Sequence, residues 1–118
     1  MPKVVIHLFH DSPADLATGA HMAERIHQRA ASEGVDLEVF CFGPAQRALD
    51  GTVETPVVLD FNRQIDALIA GGVTVGACQN AAIIAGAVDR LRERGVVLQF
   101  ARDAFMRFAV EGAAVINF

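Results

Sequence analysis

The stretch Gly71-Gly72-Val73-Thr74-Val75-Gly76-Ala77-Cys78-Gln79-Asn80 decides how this chain is read. Its apolar, β-branched run lies between a glycine pair and a polar pair, which predicts a buried strand ending in a cysteine. A helix is expected directly after it. Asn80 is a suitable N-cap, and Ile83, Ile84, Ala87, Val88 and Leu91 recur at helical spacing toward the basic end Arg90, Arg92, Arg94 and a stop at Gly95. Cys78 is therefore expected at a strand-to-helix junction, where unpaired backbone N–H groups and the helix dipole favour a thiolate.

The same alternation extends in both directions. Residues 3–9 form a nearly continuous apolar run that suits a central strand. Ser12-Pro13-Ala14-Asp15 then supplies an N-cap, a proline at the first helical position and an acid three residues after the cap. Leu16, Ala20, Ala23, Ile26 and Ala30 make the inner stripe of that helix, Gly34 closes it, and residues 35–42 read as a second strand. A short helix over 44–49, an irregular connection over 50–56 and a helix capped by Asp60 lead back to the Cys78 strand. Beyond it, residues 96–100 predict a fourth strand, 102–111 a helix with Phe105, Met106, Phe108 and Ala109 inward, and 113–118 a fifth strand. Strands alternating with helices predict one domain over residues 1–118, an α/β fold of three layers, α/β/α, around a mostly parallel five-stranded sheet.

Composition narrows the function classes. At 53% hydrophobic residues the 118-residue chain can bury a substantial core. No apolar run approaches the roughly 20 residues of a membrane span, and residues 1–9 lack the pattern of a secretion signal, so a cytoplasmic protein without a membrane partner is expected. A net charge of −4 with scattered arginines argues against a nucleic-acid partner, which requires clustered cations to neutralise phosphates. The two cysteines are far apart and form no Cys-x-x-Cys pair, so neither a disulfide framework nor a metal site is indicated. The turn His10-Asp11-Ser12-Pro13 lacks the glycines that bring backbone up to a pyrophosphate, and no Gly-x-x-x-x-Gly-Lys occurs. No cofactor is expected.

Parallel α/β sheets bind ligands outside the carboxyl ends of their strands, and those ends carry His10-Asp11, Phe42-Gly43-Pro44, Cys78-Gln79-Asn80 and Phe100-Ala101-Arg102. Cys78 is the expected reactive group, with the amides of Gln79 and Asn80 and the turn at Gly43 as ligand contacts. Cys41, inside the second strand, reads as inert core. His10 is expected as an acid/base partner of the Cys78 sulfur if the first and third strands are neighbours around a switch in strand order, the opposing reading being a strand terminator. His7 reads as a hydrogen-bonded core or interface residue, and His21 and His27 are too far apart along their helix to share a ligand. The excess of large apolar residues near Phe105, Met106 and Phe108 predicts a subunit interface in a homo-oligomer.

Around Cys78, residues Gly72-Val73-Thr74-Val75-Gly76-Ala77-Cys78-Gln79-Asn80 resemble the DsrE/DsrF family of small intracellular sulfur-relay proteins. The stretch Val110-Glu111-Gly112-Ala113-Ala114-Val115-Ile116, the opening Lys3-Val4-Val5-Ile6-His7 and the order of elements agree with it. The resemblance implies a parallel (DsrEFH-like) α/β sheet, an oligomer, and sulfur carried as a persulfide on Cys78 and exchanged with a thiol-bearing carrier protein. The competing expectation is a non-catalytic, oligomeric small-molecule-binding or structural module of the same fold, with Cys78 a packing residue. A cysteine hydrolase ranks last, because the turn lacks Gly-x-Cys-x-Gly and His10 is its sole candidate base.

Overall fold

A computed structural model describes all residues, Met1–Phe118. Five strands, β1 (Lys3–Leu8), β2 (Asp36–Cys41), β3 (Thr74–Cys78), β4 (Val97–Gln99) and β5 (Ala114–Asn117), alternate with six helices. The helices are α1 (Pro13–Glu33), α2 (Gly43–Leu49), α3 (Pro56–Ala70), α4 (Gln79–Ala85), α5 (Val88–Glu93) and α6 (Ala101–Val110). Every strand pair is parallel and the sheet order is β4-β3-β2-β1-β5, so the expected three-layer α/β/α fold is present.

Successive strands up to β4 step in one direction across the sheet, and right-handed crossovers then place all their helices on one face. That face holds the main core. Ile6, Leu8, Val39, Cys41, Val75 and Ala77 of the sheet meet Leu16, Ala20, Leu49, Phe61, Ile65, Ala82 and Leu91 of α1 to α5. The connection from β4 to β5 must return across the whole sheet, and α6 takes the opposite face, where Ala104 and Phe108 pack on Val5 and Phe40. One helix covers less than five do. Val97, Val115 and Met106 stay exposed around it.

The predicted opening of α1 is present: Ser12 Oγ accepts from the Asp15 N–H at 3.1 Å, Pro13 opens the helix, and Gly34 closes it. Four local expectations differ. The helix after Cys78 is two helices, broken where Gly86 adopts φ 65°, a left-handed turn that ends α4. Ile83 and Ile84 consequently face solvent, Ile84 at 78% exposure, while Ala82, Ala87 and Leu91 do the packing. Asn80 lies within the first turn of α4, whose N-cap position is Cys78 itself. Likewise α3 starts before Asp60, with Thr55 as cap and Pro56 in the first turn. On α6, Phe108 and Ala104 are buried, whereas Met106 and Ala109 point outward.

Candidate functional site

Cys78 is the last residue of β3, paired in register with Gln99, the last of β4. The chain leaves these two neighbouring strand ends toward opposite faces: α4 joins the main core through Ala82, and α6 joins the second through Ala104. Such a divergence at the carboxyl edge of a parallel sheet is the usual place for a ligand, although none of the four cavities of this structure is lined by Cys78 or Gln99. By strand alternation Cys78 follows Gly76 onto the α6 face, where Gly76 lies against the Phe40 ring.

The backbone of Cys78 is clamped. The Gln46 side chain donates from Nε2 to the Cys78 carbonyl at 2.8 Å and accepts the Cys78 N–H at Oε1 at 3.0 Å. Gln46 is 1% exposed, on the inner side of α2 between Ala45, Ala48 and Leu49. The cysteine itself is 5% exposed. Cys41 is sealed in the main core, and burial pushes its thiol up to about 12. Both thiols are free.

His10 does not join Cys78. β2 lies between β1 and β3, so the expected adjacency of the first and third strands is absent, and the divergence of connections occurs at β3 and β4 instead. His10 is exposed at the end of β1; its N–H donates to the Phe118 carbonyl at 3.1 Å and its ring stands edge-on to Phe9. Gln79, half-buried, and Asn80, exposed, form the first turn of α4 beside Cys78. Gly43 has φ 61°, and a Cβ there would overlap the Phe9 ring, so the backbone itself requires glycine. Gly43 also lines an open cleft of about 270 Å³ between α2 and α4, with Phe42, Pro44, Gln46, Arg47 and Asp50 on one side and Ala81, Ile84 and Ala85 on the other.

Two polar groupings lie on the α6 face of the sheet, and of their members the sequence points only to His7. Arg107 of α6 grips Glu38 with both terminal nitrogens at 2.9 and 2.7 Å, and also donates to Gln99 Oε1 at 3.0 and 3.2 Å. Lys3 completes the group at 2.7 Å from Glu38, and these cations hold the Glu38 carboxyl below its ordinary range despite its burial. His7 Nδ1 donates to Asn117 Oδ1 at 2.7 Å, which leaves Nε2 buried and unpartnered among the rings of Phe9, Phe40 and Phe105. Burial accordingly lowers the His7 pKa, with the Asn117 bond opposing and the nearby His10 charge assisting.

No group of three or more His, Cys, Asp or Glu side chains is arranged to hold a metal ion, and no helix is long and apolar enough to cross a membrane. No protein-family model matches the sequence, and no curated protein matches it. Two solved structures are similar in fold. The conserved protein of unknown function BT1422 from Bacteroides thetaiotaomicron aligns over 98% of this chain and 94% of its own, with TM-score 0.75 and 12% identity. The ychN protein from E. coli aligns over the full length of both chains, with TM-score 0.64 and 18% identity. At these identities the likeness is one of fold, and it places the chain among small single-sheet α/β proteins.

Proposed function

We propose that this protein carries sulfur as a persulfide on Cys78, in the manner of the DsrE/DsrF proteins its sequence resembles. The observation that supports this reading is the position of Cys78: a thiol at the divergence of β3 and β4, its backbone fixed by Gln46, while Cys41 is sealed away. In the reaction the Cys78 thiolate attacks the terminal sulfur of a donor persulfide. The new S–S bond forms on Cys78, the donor S–S bond breaks, and the donor leaves as a thiolate that takes up a proton from water. An acceptor thiolate repeats the exchange on the outer sulfur, and Cys78 is released. No net oxidation occurs, so no redox cofactor is required, and the chemistry belongs in a reducing, cytoplasmic compartment. Apolar surface at Val97, Met106 and Val115 supports a homo-oligomer.

Intact mass spectrometry after incubation with a persulfide donor tests the reading. Wild type and Cys41→Ser should gain about 32 Da, one sulfur, and Cys78→Ser should not. An unmodified wild type, or an equal adduct on Cys78→Ser, overturns it.

A further inference from the structure

The cleft between α2 and α4 contains an unusual acid. Asp50 is only 6% exposed, its Oδ1 is fully buried, and its carboxylate has no hydrogen bond or ion pair within the protein. Donors are close by but engaged elsewhere. Arg90 donates to the backbone carbonyls of Asp50 and Gly86, and Arg94 to the Leu49 carbonyl, Asn62 and Asp66. Arg47, on α2 three residues before Asp50, which caps that helix, lines the same cleft and has no side-chain partner either. A buried carboxylate without a donor is rare in native proteins; Oδ1 is closed off, so a partner entering the open cleft of about 270 Å³ that Asp50 lines would reach the carboxylate through its other oxygen, Oδ2.

The charges around the cleft select among ligands. Arg47, Arg90 and Arg94 oppose a simple cation, and the Asp50 carboxylate opposes a simple anion. A zwitterion satisfies both. We propose that the cleft binds a small α-amino acid, its ammonium donating to Asp50, its carboxylate accepting from Arg47, and its carbon body resting on Phe42, Pro44 and Ile84. The proposal does not depend on sulfur transfer, since the Cys78 thiol is outside the lining.

Amide chemical shifts of Gly43, Ala81 and Ala85, followed by NMR during titration, test it with three probes: L-norvaline, pentanoate, which lacks the ammonium, and butylamine, which lacks the carboxylate. Norvaline should saturate these shifts with an affinity at least about tenfold above either analogue. Asp50→Asn should cost norvaline about tenfold or more, and Ala85→Leu, a change at an exposed position that fills the cleft, should abolish the shifts. Equal affinities for the three probes, no shifts up to about 50 mM, or unchanged binding to Ala85→Leu would each overturn the proposal, the last two without reference to Asp50→Asn.

Discussion

Gln46 and Cys78, 32 residues apart in sequence, form a closed two-bond pair in which one side-chain amide satisfies both backbone groups of the cysteine. Gln46→Ala leaves a buried N–H without a partner and opens a void, and should cost about 2–4 kcal/mol. Gln46→Glu can still accept but cannot donate to the carbonyl as a carboxylate, so it should also destabilise. Urea midpoints of the two variants check this, and a loss below about 0.5 kcal/mol in both would show that the clamp contributes little.

Labelling should separate the two thiols. At pH about 8 a maleimide should modify Cys78 at least about tenfold faster than Cys41, whose thiol is held protonated by burial up to about 12. With β2 between their strands, His10→Ala should leave the Cys78 rate and its pH profile unchanged. If both cysteines label only upon unfolding, the carrier reading loses its basis.

Breaking the Glu38 grouping should be costly. Glu38→Ala removes the buried carboxylate between Lys3 and Arg107, leaves them only the more exposed Glu111 at 2.8 Å from each, and should lose about 2 kcal/mol. The pH dependence has a definite sign. Because the folded state depresses the Glu38 pKa, its contribution is complete above the ordinary glutamate value of about 4.3 and is withdrawn as pH falls through the lower folded value. Stability of wild type should therefore drop below pH about 4 more steeply than that of Glu38→Gln, measured by thermal melts across that range.

Asp50 titrates in the opposite sense. Burial raises its pKa against the pull of Arg90 and Arg94, so ionised Asp50 opposes folding at neutral pH, and the effect disappears below the ordinary aspartate value of about 3.9. Asp50→Asn should raise the unfolding free energy at pH 7, measured by denaturant titration, by on the order of 1 kcal/mol, and change it little at pH about 3.5. An equal gain at both pH values would show that ionisation is not the cause.

Gly43→Ala should destabilise by about 2 kcal/mol, since the methyl group meets both a left-handed backbone and the Phe9 ring. Pairing it with Phe9→Ala should recover part of that loss, the steric share, and leave the backbone share. Additive losses in the double variant would locate the whole penalty in the backbone.

Much of the fold is legible before any coordinates, because the cues are local. Ser12, Pro13 and Asp15 announce α1 through their own hydrogen bonds, and the run into Cys78 announces β3 through its apolar boundaries. The order of strands is less accessible, because periodicity records which face a residue buries and is silent about which strand lies beside it. That is why His10 and Cys78 could be expected together and are found separated by β2. The apolar spacing runs across Gly86 and so predicts one continuous helix, although glycine in a short helical segment is itself a stop signal. Gln46 carries only a weak signal: it is one of two polar residues, with Arg47, between Ala45 and Ala48-Leu49, and its partner is supplied by the distant end of β3. Asp50 offered none, since an acid before Gly51 is ordinary turn chemistry.

The lopsided distribution of helices also sets the order in which the chain can assemble. Strands β1 to β4 are each neighbours of the next, so the sheet can grow by successive short closures through the five helices of one face. β5 alone must find β1 across the length of the chain, as the His7–Asn117 bond, 110 residues apart, makes plain, and closing so long a loop costs about 4 kcal/mol of chain entropy. Exposed at all four residues and held along one edge, β5 and the α6 helix that brings it home should act as a latch: expected last to engage during folding, expected first to exchange its amide hydrogens with water, and the element whose release would bare Val5, His7 and Phe40 while the rest of the sheet stands.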